Sequence, residues 1–361
     1  MVQKVLCGAL SLCFFLAGNV SAEFLEFEKN QVTTGDRDSN PNWSPDGSKI
    51  VFNVNNGALV GGDENERNYD IYVINADGTS RTQLTSDSSI SERYPSWSPD
   101  GTRIAYIEFD PDGSYWPFGG YFLCTMNPDG SGRTVHPLPP NPNTSFQDPD
   151  ETCWIHEIHN TAWSPDGSAI AFVSYGPEGG AMKIYRYDLS SSTVTNITPA
   201  GEVNPDGMIE KISWCGAKNL LAFDRWPIGI HVFTPGQEET LTVLDIPISD
   251  GMMMERFSHP GWHPDCSKLV YARNFVKDED GYPGGRDIGV FDLATKTSIR
   301  EETPSGFTWP VWSPDGRSIV ARDGDDYNDG NIWNNILTGE METMFPWEIF
   351  LPAILAPKPE N

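Results

Sequence analysis

Six copies of one short phrase, each beginning with a tryptophan, constrain this chain more than any other feature. The copies read W-S-P-D-G at Trp43, Trp97, Trp163 and Trp312, and in altered form W-C-G-A-K at Trp214 and W-H-P-D-C at Trp262. Successive copies stand 48 to 66 residues apart. A unit of about 50 residues that recurs along a chain is typical of a repeat architecture, in which each unit buries its apolar face against its neighbours.

The phrase itself predicts a hairpin turn. Pro45 has the φ angle that the second position of a type I turn requires, Asp46 caps the turn, and Gly47 supplies a left-handed conformation. An alternating apolar run follows each turn, such as K-I-V-F-N-V at 49–54, and a second pair of runs surrounds turns such as A-D-G-T at 76–79. Because period-two alternation indicates strands, each repeat predicts four antiparallel strands.

Six such repeats predict an all-β fold, a six-bladed β-propeller of four-stranded antiparallel blades. A four-stranded sheet cannot bury both faces alone, and radial stacking covers them. The orphan Q-V-T-T at 31–34 precedes the first tryptophan, so we expect a strand at roughly 24–34 to pair with the last blade and close the ring. The expected organisation is a leader at 1–22, the propeller at 23–346 and a tail at 347–361.

The first 22 residues predict export. Lys4 precedes an apolar core, and V-S-A before Glu23 fits a signal-peptide cleavage site after Ala22. We therefore expect a periplasmic or secreted protein, and no other stretch is long and apolar enough to span a membrane. The formal net charge of −27 argues against nucleic-acid binding, since such a surface repels polyanions. We expect a monomer.

Four cysteines lie beyond the leader, and an oxidising compartment allows them two disulfides. Cys215 and Cys266 both replace residues of the turn phrase in successive repeats, so they should lie at the same end of neighbouring hairpins. Cys124 and Cys153 form the other predicted pair, although four cysteines allow three connectivities.

The repeated W-S-P-D-G-x-x-I-A-F, followed by D-I-Y-V-x-x-A-D-G and Q-L-T, resembles the TolB-like, PD-repeat branch of the WD-type propellers over residues 31–346. TolB carries an α/β domain before its propeller, whereas here the repeats follow directly on the leader. The resemblance therefore implies the fold and, in general terms, a function in binding proteins or ligands. The sequence contains no G-x-S-x-G elbow, so we expect no fused hydrolase.

The tight turns should lie at one end of the ring and the long loops at the other, and binding concentrates on loops that a rigid scaffold holds. One long-loop segment, at 322–331, is rich in acidic oxygens of the kind that calcium prefers. The candidate calcium ligands are Asp323, Asp325, Asp326 and Asp329. A solvated turn is the alternative, because the terminal bidentate glutamate of an EF-hand is missing, and no cofactor is certain.

Residues three to four positions before each tryptophan should surround the mouth of the axial channel. These are Arg93, Tyr94, His159, Glu210, Lys211, His259 and Trp309. His156, Glu157, His159 and His259 could converge on a transition metal, since imidazole is a common ligand. Such a site would resemble the metal-dependent lyases of acidic sugars that also use PD-repeat propellers. An ordinary polar ring at the mouth is the alternative.

Aromatic residues on two long loops predict a binding platform for a sugar or for a partner's side chains. They are Tyr115, Trp116, Phe118, Phe146 and Trp154, with Trp309 at the mouth. Packing of the two loops on each other is the alternative. The function that we predict is a non-enzymatic propeller that binds a protein or a glycan through the long-loop face; a metal-dependent carbohydrate lyase or hydrolase is the runner-up.

Overall fold

The computed structural model describes a chain built of β-strands. The described residues are 24–33, 38–59, 67–110, 120–138, 158–175, 182–199, 208–225, 229–237, 240–245, 248–249, 252–253, 255–276, 283–301, 306–323 and 335–343. Within these ranges, no helix has the length and apolar character needed to cross a membrane. The predicted leader and tail lie outside them, so the domain limits 1–22, 23–346 and 347–361 stay predictions.

The strands fall into six groups, which we call units 1 to 6. The chain begins with β1 (Phe24–Gln31), followed by unit 1 with β2 (Asp38–Trp43), β3 (Lys49–Leu59), β4 (Arg67–Asn75) and β5 (Thr82–Gln83). Unit 2 comprises β6 (Ser91–Trp97), β7 (Ile104–Asp110), β8 (Gly120–Met126) and β9 (Thr134–His136). Unit 3 comprises β10 (Ile158–Trp163), β11 (Ala169–Tyr175), β12 (Met182–Asp188) and β13 (Thr193–Asn196).

The remaining strands complete the set. Unit 4 comprises β14 (Ile212–Cys215), β15 (Leu220–Arg225), β16 (Gly229–Phe233) and β17 (Thr240–Asp245), and a small hairpin of β18 (Ile248–Ser249) and β19 (Met252–Met253) follows it. Unit 5 comprises β20 (Glu255–Trp262), β21 (Lys268–Val276), β22 (Pro283–Asp292) and β23 (Thr297–Glu301). Unit 6 comprises β24 (Phe307–Trp312), β25 (Ser318–Asp323) and β26 (Asn335–Thr343), with β1.

Each tryptophan phrase forms the predicted turn between the first two strands of its unit. In unit 1, Gly47 has a φ of 71° and its N–H donates to the Ser44 carbonyl at 2.9 Å. The Asp46 carboxylate accepts the Ser44 hydroxyl at 2.6 Å and the Ser48 N–H at 3.0 Å. These hydrogen bonds, that of Ser44 first, lower the pKa of Asp46 and stabilise its charged form.

Units 1 to 4 each form a separate four-stranded sheet, but units 5 and 6 share one sheet of eight strands. Their junction is a short parallel pairing of β1 with β23, Phe24 with Arg300 and Leu25 with Glu301. The predicted count of six blades is therefore not confirmed: β1 joins units 5 and 6, so the sheets of four or more strands among the described residues number five. Every other strand pair within the units is antiparallel, as expected.

The first strand closes the array. β1 pairs antiparallel with β26 from Leu25↔Thr343 to Gln31↔Leu337, which confirms the predicted pairing of the N-terminal strand with the last repeat. At the turn end, a side chain at Gly47 of unit 1 would contact Pro314 of unit 6 at 3.8 Å, as one at Gly101 would contact Pro45. The last unit therefore packs against the first.

The hydrophobic core lies between neighbouring units. Val51 and Ile71 of unit 1 pack with Tyr106 of unit 2. Val320 of unit 6 packs with Ile50 and Phe52 of unit 1 in the same way. Because each unit buries its faces only against its neighbours, losing contact at one junction should weaken the whole ring.

The structure joins Cys215 and Cys266 in a disulfide with a Cα–Cα distance of 5.9 Å, as predicted. Cys266 has a φ of 58°, so it occupies the left-handed position that glycine holds in the turns of units 1, 2, 3 and 6. The predicted pairing of Cys124 with Cys153 is wrong for Cys124. This residue is a free thiol, fully buried on β8 in the apolar core between units 1 and 2, and Cys153 lies outside the described residues.

Candidate functional site

The innermost strand of five units carries a β-bulge at the residue three positions before the tryptophan. The register of these strands shifts there, and the bulged residue has a positive φ of 50 to 56°. The five residues are Asn40, Tyr94, Asn160, His259 and Trp309. A left-handed backbone is uncommon outside glycine and costs on the order of 1–3 kcal/mol, so it persists where the surroundings impose it. Bulges of this kind re-aim side chains and are frequent next to functional sites.

Unit 4 differs, because Lys211 occupies this position without a bulge. Here the buried Asp224 carboxylate accepts the N–H groups of Glu210 and Lys211, both at 2.8 Å, through one oxygen. Its other oxygen accepts the N–H of His259, in unit 5, at 2.7 Å. Asp224 therefore fixes the backbone just before β14 and at the bulge of β20, in two neighbouring units.

Four rings from four different units form a row at or beside the bulges of the inner strands, and we call this set the aromatic mouth. It consists of His159, Tyr94, Trp309 and His259. The ring centroids of His159 and Tyr94 are 5.9 Å apart, those of Tyr94 and Trp309 6.4 Å, and those of Trp309 and His259 4.0 Å. The Tyr94 hydroxyl also lies 3.3 Å from Nδ1 of His159. The strands run from this end toward the tight turns, so the aromatic mouth lies on the long-loop face.

An ionic group borders the aromatic mouth. Glu210 is ion-paired with Arg256, and its other carboxylate oxygen lies 3.3 Å from Nε2 of His259. Although burial raises the pKa of Glu210, the hydrogen bond and charge of His259 and the neighbouring Arg256 lower it to about 2. Burial and the nearby Glu210 charge raise the pKa of Asp224. Glu210 is therefore negatively charged at neutral pH.

Glu210, Asp224 and His259 offer ligand atoms within 4.8 Å of one another, which is the spacing of a metal site. The existing bonds do not favour a metal, however. Asp224 uses both oxygens to accept backbone N–H groups, and Glu210 already pairs with a guanidinium. The three residues form a charge-compensated network that would have to break to bind an ion.

A channel of about 370 Å³ runs along the axis from the aromatic mouth to the tight turns. Tyr94, Trp309 and Lys211 line it at one end, and Pro45 and Pro99 are among the prolines at the other. Inner-strand residues of all six units contribute to the wall. The channel is thus the shared interior of the ring.

A second polar cluster lies apart from the axis, between units 1 and 2. Glu92 stands directly opposite Glu108 in the pairing of β6 with β7, and both side chains are buried. Arg133 pairs with Glu108, whereas Oε2 of Glu92 has no hydrogen-bond partner among the described residues. Burial first, then the charges of Asp70 and Glu108, raise the pKa of Glu92 to about 9, so it is protonated at neutral pH.

The structure brings together six of the predicted mouth residues: Tyr94, His159, Glu210, Lys211, His259 and Trp309. Arg93, the seventh, lies over the ring of Tyr69 at 4.7 Å and donates to the Ser91 hydroxyl. The predicted convergence of His159 with His259 is replaced by separate contacts, with Tyr94 for the first and with Trp309 and Glu210 for the second.

The other predicted site residues lie outside the described residues. They are Tyr115, Trp116, Phe118, Phe146, Trp154, His156, Glu157, Asp325, Asp326 and Asp329. Asp323 is described only as the last residue of β25. The calcium and loop-platform predictions therefore stay predictions.

Asp224 and Arg256 are functional candidates that the sequence reasoning missed. Asp224 ends the run L-L-A-F-D, at a strand position where units 2 and 3 carry Ile107 and Val173. The sequence signal for Asp224 was a charged residue at a strand position that is apolar in units 2 and 3. Nothing in the sequence near Arg256 indicated that it would meet Glu210.

No family model matches the chain. Among curated proteins, the chain is similar to dipeptidyl-peptidase 5 of Porphyromonas gingivalis, with 25% identity over 295 residues, or 78% of this chain. That alignment covers 37% of the relative, and the corresponding share for the Porphyromonas endodontalis protein is 36%. The chain therefore spans a little over a third of the length of these curated relatives.

Two solved structures resemble this one along nearly their whole length. A protein of Agrobacterium tumefaciens assigned to TolB has a TM-score of 0.52 and 16% identity, over 89% of this chain and 99% of that one. An oligogalacturonate lyase in complex with manganese has a TM-score of 0.52 and 13% identity, over 88% of this chain and 97% of that one. At such identities the likeness shows the fold alone, a β-propeller of four-stranded antiparallel sheets, which confirms the predicted fold class.

Proposed function

We propose that this β-propeller is an exported, non-enzymatic binding module that holds a protein or glycan ligand at the aromatic mouth. The observation that carries the proposal is the row of four rings on the long-loop face, three of them on left-handed bulged residues. His159, Tyr94 and Trp309 are each partly exposed, so their faces can contact a ligand. Rings that the fold already holds in place lose less conformational entropy when a ligand binds.

The chemistry at the aromatic mouth suits a neutral or weakly polar ligand. Aromatic faces stack on the apolar faces of sugars and on side chains, while polar groups at the rim fix orientation. Glu210 supplies an acceptor that stays charged above pH of about 2, and Arg256 beside it supplies donors. Because the charges of Glu210 and Arg256 compensate each other, they do not favour a charged ligand over a neutral one.

The disulfide supports the proposed export. Cys215 and Cys266 join units 4 and 5, and such bonds persist in oxidising compartments and are rare in the reducing cytosol. We therefore propose a periplasmic or secreted location. N-terminal sequencing of the mature protein, with cleavage after Ala22 as the expected result, tests this.

Binding at the aromatic mouth can be tested with Trp309→Ala. Oligosaccharides and envelope-protein extracts are screened in separate arms, by intrinsic fluorescence and by chemical cross-linking. Trp309→Ala should weaken any ligand by about tenfold or more, because a central aromatic anchor contributes about 2 kcal/mol or more. Trp214→Ala, at the turn end, is the matched control. Binding that Trp309→Ala leaves unchanged would refute this location.

The alternative function, a metal-dependent carbohydrate lyase or hydrolase, is favoured by one observation, the spacing of Glu210, Asp224 and His259. Elemental analysis of protein purified without chelators tests it directly. Stoichiometric manganese, zinc or iron that Glu210→Gln abolishes would support the enzyme. Calcium alone, unaffected by that change, would instead point to the acidic segment at 322–331.

A further inference from the structure

The axial channel below the aromatic mouth contains a buried amine. Of the described residues that line it, Lys211 alone carries an amino group, and its side chain is 7% exposed. Nζ donates to the Pro310 carbonyl at 3.1 Å and lies 5.7 Å from the centre of the Trp309 ring. The side chain thus reaches from unit 4 to unit 6. Gly261 of unit 5 leaves space beside the Pro310 carbonyl, where a Cβ would approach to 2.8 Å.

The surroundings of Lys211 favour the uncharged amine. Burial lowers the pKa of Lys211 to about 7, and the charge of Asp224 offsets only part of this effect. The charged and titratable groups near it are Asp224 on β15, Glu210 before β14, and Arg256 and His259 on β20. Glu210 is committed to Arg256 and His259, and Asp224 to three backbone N–H groups. No carboxylate among the described residues pairs directly with Nζ.

An uncharged amine on a buried side chain that lines a cavity is a nucleophile. Its lone pair is available, whereas an exposed lysine at neutral pH is almost entirely protonated. The cavity has a volume of about 370 Å³, enough for a small molecule, and its other lining residues carry hydroxyl, amide, aliphatic, proline and tryptophan side chains. Among the described residues that line the cavity, Lys211 carries the strongest nucleophile.

We propose that the axial channel binds small aldehydes or ketones and that Lys211 forms an imine with them. The Nζ lone pair attacks the carbonyl carbon, and the new C–N bond becomes double as the carbonyl oxygen leaves. The two hydrogens of the amine depart with that oxygen as water, so no oxidant or reductant is needed. Open-chain sugars of three to four carbons have the fitting chemistry. The inference concerns the channel and stands whether or not the aromatic mouth binds a glycan.

Trapping with glycolaldehyde and cyanoborohydride tests the proposal on the full-length, disulfide-bonded protein. Peptide mapping at pH 7 should show Lys211 modified about tenfold or more faster than the exposed Lys49 and Lys218, because far more of it is uncharged. The rate at Lys211 should rise with pH and level off above about 8. Lys211 modified no faster than Lys49 in the folded protein would overturn the proposal.

A competition experiment separates imine formation from simple polyol binding. Glyceraldehyde, added without reductant before trapping, should protect Lys211, whereas glycerol at the same concentration should not. Equal protection by glycerol would show that the channel binds polyols non-covalently, which contradicts the proposal. Lys211→Arg should remove the modification from this peptide and leave Lys49 and Lys218 unchanged. If this variant does not fold, the wild-type comparison of Lys211 with Lys49 and Lys218 still decides.

Discussion

Replacing Lys211 by methionine should stabilise the fold, and the gain should depend on pH. Methionine has a similar length and no charge to bury. Burial lowers the pKa of Lys211 in the folded protein to about 7, against an ordinary value of 10.5. Below pH 7 the folded state must therefore carry a buried ammonium that the unfolded chain holds in water, and the difference corresponds to about 5 kcal/mol.

The sign of the pH dependence follows from proton binding. Between pH of about 7 and 10 the unfolded state binds a proton at Lys211 that the folded state does not, so the cost falls as the pH rises. It should decrease by about 2 kcal/mol between pH 7 and 9. Lys211→Met removes this cost but also leaves the Pro310 carbonyl unpaired, a loss of about 1 kcal/mol. The net gain at pH 7 should then be about 3 kcal/mol.

Urea unfolding of wild type and Lys211→Met at pH 6, 7.5 and 9 measures this directly. Lys49→Met, at an exposed lysine on β3, is the matched control and should change the free energy of unfolding by less than about 0.5 kcal/mol at every pH. A variant that is less stable than wild type at pH 6, or a gain that does not shrink toward pH 9, would refute the buried-amine reasoning. Such a result would mean that the surroundings of Lys211 compensate the buried positive charge.

Three further predictions follow from other parts of the ring. Glu92→Gln should leave the free energy of unfolding unchanged near pH 4.5 and raise it by about 3 kcal/mol at pH 7, because the folded protein holds a proton on Glu92 up to a pH of about 9. Thermal unfolding at both pH values checks this, and the same change in stability at pH 4.5 and pH 7 would contradict it. Deleting residues 23–34 removes the strand that pairs with β26 and should lower the melting temperature of the whole domain, so an unmoved transition would argue against closure by β1. Combining Cys215→Ser with Cys266→Gly puts the usual serine and glycine of the turn phrase at these two positions but should still cost about 2 kcal/mol, since a lost disulfide outweighs the strain relieved at Cys266. A variant as stable as wild type in urea would show that the bridge contributes nothing.

The local chemistry of the repeats was sufficient to predict most of the fold. Ser44, Pro45, Asp46 and Gly47 form a turn through hydrogen bonds within five residues, so the sequence determines that turn without help from the rest of the chain. Alternation then indicated the strands, and repetition indicated the ring. The bridge between Cys215 and Cys266 was predicted because both replace residues of the turn phrase in successive repeats.

Features that join distant residues were decided only by the tertiary structure. The parallel contact of β1 with β23 merges two units into one sheet, and it depends on how two remote segments meet at an edge. Glu210 meets Arg256 across neighbouring units, and Trp309 meets Tyr94 across the axis. The sequence by itself determined which side chains stand three residues before each tryptophan; only the closed ring decided which of them touch, because those contacts depend on packing between units rather than on any local pattern.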